Sequence, residues 1–183
     1  MGSAWEKIFL LKSKSFICGY CGATIASEKG YYAKFPESLR EDEHIYICHY
    51  CERPTYFDSN GNQTPAPAFG HSVKHLPVDV EVLYIEARNC LKVNAATAAI
   101  LCCRKLLMNI AVSHGAKEGL NFIEYIDYLS DKGFVPPNGK EWVDHIRNKG
   151  NEATHEIKVM SRPDAEELIT FIEMLLKFIY EFS

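Results

Sequence analysis

The chain has 183 residues, a formal net charge of −4, 47% hydrophobic residues and 24% charged residues. This length and composition are typical of a globular protein with one ordinary domain and one small one, and they exclude disorder throughout the chain. The part up to Pro77 carries 8 basic and 8 acidic residues, and the rest carries 12 basic and 16 acidic residues. Neither part therefore has the strong positive charge of a general duplex-DNA-binding domain.

Two C-x-x-C pairs, Cys18/Cys21 and Cys48/Cys51, lie in the first third of the chain. Each pair places two thiolates on one tight turn, and two such turns together give the tetrahedral four-sulfur site that suits zinc. The first residues lack the features of a secretory signal, so we expect a cytoplasmic protein with reduced thiols rather than disulfides. No βαβ pattern surrounds the pairs, which argues against a redox role. The sequence predicts one structural Zn²⁺ per chain, in a closed site with no open position for catalysis.

The two cysteine turns differ in sequence. We call residues 18–23 knuckle 1 and residues 48–53 knuckle 2. Knuckle 1 contains Gly19 and Gly22, which let backbone amides curl around sulfur, whereas knuckle 2 has no glycine and is predicted to form a less ideal turn. His44 and His49 are alternative ligands, although four sulfurs already complete a zinc site.

Short runs of β-type residues bracket the cysteines at 7–17, 31–35 and 44–48, as expected for the hairpins of a zinc ribbon. Residues 1–57 are therefore predicted to form a small β zinc ribbon. Residues 58–76 are rich in turn formers and prolines and have no apolar period, which predicts a linker.

From residue 77 the apolar residues recur with a helical period, which predicts a bundle of five helices over residues 77–183 and an α+β, mainly α fold class. The expected helices cover about 78–93, 95–113, 121–132, a segment from 138 through 146, and a segment from 161 onwards. Asn121 and Glu124 are predicted to form a capping box at the start of the third helix. The second is apolar nearly all round and is predicted to be central. The longest apolar stretch, 95–103, is too short to cross a bilayer, so we expect no membrane partner. Three further cysteines in these helices are expected to pack as small hydrophobes: Cys90, Cys102 and Cys103.

Arg104 interrupts the apolar second helix. A charge on a helix surrounded by partners must be paired or must line a polar cleft, because an unpaired buried guanidinium is costly. One hypothesis is a structural ion pair with Glu86 of the first helix, and the alternative is a functional role for this polar cluster.

A second polar cluster follows the fourth predicted helix. If that helix continues, Arg147, Asn151 and His155 lie at successive i, i+4 positions and share one face with a cation, an amide and an imidazole. Such a face could bind a phosphate. The alternative is a capped helix terminus whose polar side chains bond to one another.

Five segments of the helical part are similar in sequence to the bacterial domain of unknown function 4145 (DUF4145) family. They are residues 75–80, 84–88, 98–107, 146–155 and 175–180. The resemblance covers about 76–182, with an N-terminal zinc ribbon of the kind that some members carry. The family looks like a branch of the HEPN superfamily of small helical bundles, which often dimerise and include many metal-independent RNases.

The resemblance implies candidate catalytic residues. The superfamily motif is an arginine, usually followed by a polar residue, with a histidine four to six residues further on. Arg147 and Asn148 fit its beginning, whereas His155 follows after seven intervening residues. In an RNase, His155 would act as general base or acid, Arg147 would neutralise developing charge, and Asn148 or Asn151 would orient them, in a cleft between two copies.

Two functions are therefore expected. The first is a zinc-ribbon and HEPN-like regulatory module that binds nucleic acid or protein, in phage defence or RNA metabolism. The alternative is a metal-independent endoribonuclease that uses Arg147 and His155 in a dimer cleft. Both imply a homodimer with an RNA or protein partner and no small-molecule cofactor.

Overall fold

The computed structural model describes residues 5–33, 43–135 and 160–182. The chain divides into two compact units, Met1–Ala68 and Phe69–Ser183.

The first unit is an antiparallel sheet of five strands that are neighbours in chain order. The strands are β1 (Phe9–Ile17), β2 (Thr24–Ala33), β3 (Glu43–Ile47), β4 (Pro54–Phe57) and β5 (Gln63–Thr64). Knuckle 1 is the turn between β1 and β2, and knuckle 2 is the turn between β3 and β4. The register pairs Ile17 with Thr24 and Ile47 with Pro54, so each hairpin closes directly around its cysteine pair.

Three aromatic rings form most of the core of this unit. The Phe16 and Phe57 ring centroids lie 5.2 Å apart at 74°, and Tyr46 packs edge-on against Phe57 at 5.8 Å. Ile25, Cys18 and Cys48 complete the buried cluster. A core of six residues buries little apolar surface, and units of this size usually need a metal or disulfide for stability.

The second unit contains the helices of the described chain. They are α1 (Val78–Lys92), α2 (Ala96–Ser113), α3 (Phe122–Asp131) and α4 (Arg162–Leu176), and a π-helical turn over Lys177–Glu181 follows α4. The predicted capping box of α3 is confirmed: the Asn121 side chain accepts from the Glu124 amide, and the Glu124 carboxylate accepts from the Asn121 amide. Ser161 and Asp164 form the same box at the start of α4.

Helix α2 lies at the centre of the second unit and contacts α1, α3 and α4. Within the described ranges, α2 alone is long and apolar enough to cross a membrane by length and composition, and half of it is buried inside the protein. A central core helix has the same composition because neighbours cover most of its surface. Cys103 is fully buried, and Cys90 and Cys102 pack against the same core, as small hydrophobes do.

The predicted five-helix bundle behind a small ribbon is wrong. The described residues contain four α-helices and a five-stranded antiparallel sheet, in which β4 and β5 were not expected. Strand β4 has only four residues and begins at a proline, a position that strands accommodate, so its sequence is a weak strand signal. Strand β5 lies inside a stretch of turn formers, where Asp58 accepts hydrogen bonds from the amides of Asn60 and Asn62 and closes a hairpin loop. The helix predicted from residue 138 lies outside the described residues.

The segment predicted as a linker contributes to both units. Its residues Gln63–Thr64 are paired with β4. Further along, the Arg88 guanidinium on α1 donates to the carbonyls of Phe69 and Gly70 at 2.8 and 2.7 Å. The Glu173 carboxylate on α4 accepts from the His71 amide at 2.8 Å. Residues 69–71 are thus held against the helices of the second unit.

Candidate metal centre

The two knuckles have the same backbone hydrogen bonds. In knuckle 1, the Cys18 amide donates to the Ala23 carbonyl and the Gly22 amide donates to the Cys18 carbonyl, both at 2.9 Å. In knuckle 2, the Cys48 amide donates to the Arg53 carbonyl at 3.0 Å and the Glu52 amide donates to the Cys48 carbonyl at 2.9 Å. Each turn therefore presents its two sulfurs from an equivalent position.

The four cysteine sulfurs converge. All four Sγ atoms lie within 4.8 Å of one another, and two of the distances between the knuckles are 3.7 Å for Cys18–Cys51 and 3.8 Å for Cys21–Cys48. A tetrahedron of sulfurs around a metal, with bonds of about 2.3 Å, has an edge of about 3.8 Å. A disulfide needs an S–S distance of about 2.0 Å, and all seven cysteines are free thiols. The cluster therefore fits a four-sulfur metal site.

The thiols differ in burial and in acidity. Cys18 and Cys48 are fully buried, Cys51 is half-buried and Cys21 is exposed. Burial raises the pKa of Cys18, but hydrogen bonds from the backbone amides of Cys21 and Tyr20 outweigh it and lower that pKa to about 7. Burial raises the pKa of Cys48 and raises that of Cys51 to about 12. Four thiolates at this spacing repel one another, so a bound cation is needed to keep all four ionised.

The backbone of knuckle 2 does not need the glycine that its sequence lacks. Gly22 has a φ of 73°, and Glu52, at the equivalent position, has a φ of 58°. Both lie in the left-handed region, which is strained for a residue with a side chain. The two turns therefore have the same shape, although knuckle 2 was predicted to be less ideal. The difference in sequence appears instead as backbone strain at Glu52, which was not among the residues predicted from the sequence.

The candidate histidine ligands do not join the sulfur cluster. In the part of the chain that the structure describes, the atoms that could hold one metal ion belong to the four cysteines. The His44 ring stacks on Tyr46 with centroids 5.8 Å apart, and the His49 ring lies 5.5 Å from that of Tyr50. Both histidines therefore have aromatic partners instead.

Knuckle 2 borders a surface groove of about 700 Å³. Its lining includes Trp5, Ile8 and Lys29, the carboxylates of Glu28 and Glu52, and Cys48 and His49. The Trp5 indole donates to the Glu52 carbonyl at 2.6 Å, which ties the start of the described chain to this knuckle. Tyr50 at the knuckle tip is 75% exposed. The sulfur cluster thus lies beside an open surface that combines charged and apolar side chains.

The structure does not bring Arg104 and Glu86 together. Arg104 lies on α2 with 9% of its surface exposed, its guanidinium carbon is 4.0 Å from the centroid of the Phe122 ring, and Glu86 is exposed on α1. Burial lowers the pKa of Arg104. No group in the described ranges accepts a hydrogen bond from its buried Nη1 atom.

The candidate catalytic residues fall elsewhere in the chain. Arg147, Asn148, Asn151 and His155 lie outside the described residues. Their proposed roles stay predictions from the sequence.

Comparison with known proteins identifies the helical part. No curated protein and no solved structure matches the chain. The model of the family described as "Domain of unknown function (DUF4145)" matches residues 85–183, which is more than half of the chain and excludes the cysteine knuckles. The match confirms the family resemblance of these residues, and the chain therefore belongs to the DUF4145 family.

Proposed function

We propose that the four cysteines hold one structural Zn²⁺ ion per chain and that the ribbon around it is a binding module for a protein partner. The sulfur geometry is the observation that supports a metal ion: the sulfur–sulfur distances of 3.7 and 3.8 Å between the knuckles fit tetrahedral coordination by sulfur. Four thiolates in a tetrahedron suit zinc or iron. Zinc fits a structural role because it has no redox chemistry.

The role of the zinc is to stabilise the ribbon. Four protein sulfurs fill the coordination sphere, so no position is open for a substrate or an activated water. Two of the six residues in the core of this unit are cysteines, Cys18 and Cys48. Metal binding and folding of the unit are therefore coupled. Such a site needs reduced thiols, which favours a cytoplasmic location.

A protein partner fits the ribbon better than nucleic acid because of charge. Residues 1–68 carry seven Lys or Arg residues and eight Asp or Glu residues. Four thiolates and one Zn²⁺ add two further negative charges. The groove beside knuckle 2 contains Glu28 and Glu52 with a single lysine, next to the apolar surfaces of Trp5 and Ile8. A phosphate backbone would be repelled, whereas a peptide surface of mixed charge would not.

The metal is tested by elemental analysis of the purified protein and of two variants. We expect one zinc per chain in the parent, loss of zinc in Cys48→Ser and full retention in the control Cys102→Ser, whose sulfur packs against the helical core. The NMR signals of the ribbon should collapse in the first variant only. Iron in place of zinc, or a metal-free parent with a folded ribbon, would refute the assignment.

The partner is tested with a photo-crosslinking amino acid in place of Tyr50, and with a control in place of the exposed Leu10 on β1. We expect a protein adduct from position 50 that disappears in the Cys48→Ser background. Purified adduct partner should then bind the parent at least tenfold more tightly than Ile8→Asp. Adducts with RNA instead would favour nucleic-acid binding.

The RNase alternative has its own outcome. Chelator-treated parent protein is incubated with single-stranded and structured RNA, and a binding module should leave both intact. Cleavage that is lost in both His155→Ala and Arg147→Ala would instead establish the enzyme and overturn this part of the proposal.

A further inference from the structure

Arg104 is a buried cation without a described anionic partner. The residue is nine-tenths buried on α2, and its Nη1 atom has no hydrogen-bond acceptor among residues 5–33, 43–135 and 160–182. The Phe122 ring lies 4.0 Å from the guanidinium carbon and offers a cation–π contact. The face of an aromatic ring stabilises positive charge, but it does not accept the hydrogen bonds that the guanidinium N–H groups donate in the plane of the guanidinium. The Nη1 donor of the Arg104 guanidinium therefore lacks an acceptor within the described residues.

Arg104 also lines a groove on the surface of the helical unit. The groove has a volume of about 520 Å³, which lies in the range of small-molecule sites. Beside Arg104, its lining contains one further cation, Lys105, one acidic residue, Glu118, the amide residue Asn109, and Tyr125, which is buried. Two cations facing one carboxylate leave a net positive charge. The polar part of the groove therefore suits an anion.

The apolar part of the described lining consists of Leu101, Met108 and Val112. Leu101 and Met108 lie one helical turn before and after the cation pair on the same face of α2, and Leu101 is 43% exposed. A ligand anchored at Arg104 would thus place an uncharged group on an apolar surface. The lining side chains of Met108 and Lys105 are long and flexible, so the groove can adapt to a ligand bound at Arg104.

We propose that Arg104 anchors a binding site for a phosphate monoester joined to an apolar or aromatic group. The guanidinium fork donates two parallel hydrogen bonds to the phosphate oxygens, Lys105 adds a second positive charge, and the apolar part of the ligand lies against Leu101 and Met108. Phosphate is favoured over carboxylate because its two negative charges match the two cations. This site belongs to the second unit and is independent of the zinc ribbon proposed above.

The proposal is tested with phenyl phosphate as the probe, using isothermal titration calorimetry and thermal unfolding of the full chain. Inorganic phosphate supplies the head group alone and phenylacetate supplies a carboxylate. We expect phenyl phosphate to bind most tightly and to raise the unfolding temperature. Absence of binding at millimolar concentration, or equal binding of phenylacetate, would overturn the proposal.

Variants separate a ligand site from a structural ion pair. Arg104→Met should weaken phenyl phosphate binding at least tenfold and should leave the ligand-free protein no less stable, because an apolar residue replaces an unpaired buried charge. The control Lys132→Met, which removes an exposed cation at the end of α3, should bind as the parent does. A ligand-free Arg104→Met protein that is unfolded or much less stable would show a structural ion pair and overturn the proposal. Arg104→Lys keeps the charge without the fork, and parent-like binding by this variant would also contradict it.

Discussion

The two knuckles have the same backbone conformation but different sequences. Knuckle 1 has glycine at positions 19 and 22, whereas knuckle 2 has His49 and Glu52 at the equivalent positions. The hydrogen bonds are nevertheless equivalent, and the left-handed residue after each cysteine pair has a φ of 73° or 58°. The same backbone path therefore forms with and without glycine, and glycine only lowers the conformational cost of the left-handed residue.

The surroundings explain where glycine is required. Strand β5 and the residues after it cover knuckle 1: the Gln63 side-chain amide donates to the Ile17 carbonyl at 2.8 Å, and a Cβ on Gly19 would lie 2.2 Å from the Pro65 carbonyl oxygen. Knuckle 2 instead borders the open groove, and its Tyr50 is 75% exposed while Tyr20 in knuckle 1 is 44% exposed. Knuckle 1 is therefore covered by its own unit, whereas knuckle 2 is the more open of the two and is where the protein partner is proposed to bind.

The largest effect is expected when the proposed metal ion, which both knuckles would bind, is removed. A strong chelator should strip the metal and unfold the ribbon, because binding of structural zinc contributes an apparent free energy of about 10–16 kcal/mol, more than the stability of most small domains. The helical unit has its own core and should remain folded. Far-UV circular dichroism and methyl NMR should show loss of the β signals alone. A ribbon that keeps its NMR signals without metal would mean that the aromatic core suffices.

The next effect separates the two knuckles. Gly19→Ala should destabilise the ribbon by about 3 kcal/mol, since the new methyl group meets the backbone carbonyls of Pro65 and Ala66 and cannot rotate away. The matched control is His49→Ala at the equivalent position, where a side chain is already present. It should cost about 0.5 kcal/mol or less. Zinc release to a colorimetric chelator, followed against urea concentration, gives both values. Equal losses of stability in the two variants would show that Pro65 and Ala66 can move away from knuckle 1.

The sequence predicted those features that depend on local chemistry. Cysteine spacing was enough to predict the sulfur cluster, because each C-x-x-C turn holds its two sulfurs close together and two such turns suit one metal ion. The capping pair Asn121/Glu124 likewise marked the start of α3. Strand β2 begins at Thr24, earlier than expected, because its polar residues 27–29 hide the period-2 pattern. The environment of Arg104 depends on contacts between helices, which sequence spacing does not encode.

A smaller effect is expected at the left-handed position of knuckle 1. Gly22→Ala should destabilise the ribbon by about 1–2 kcal/mol, the usual cost of left-handed backbone for a residue with a side chain. A Cβ there meets no atom within 4 Å, so the whole effect is conformational. Gly22→Asn is the matched control, because asparagine tolerates this region, and it should lose less than half as much. A loss at Gly22→Asn as large as that of Gly22→Ala would point to a cause other than φ.

The smallest effect has the opposite sign. Glu52→Gly removes the strain of a side chain at a φ of 58°, worth about 1–2 kcal/mol, but adds unfolded-chain entropy worth about 0.5–1 kcal/mol. The ribbon should therefore gain less than about 1 kcal/mol, measured as a higher urea midpoint for zinc release. Glu52→Ala keeps the strained backbone while removing the carboxylate, and it should show no such gain. If both variants gain equally, repulsion between the Glu52 carboxylate and the thiolates explains the effect. If only Glu52→Gly gains, the sulfur ligands hold knuckle 2 in a shape that its own sequence resists.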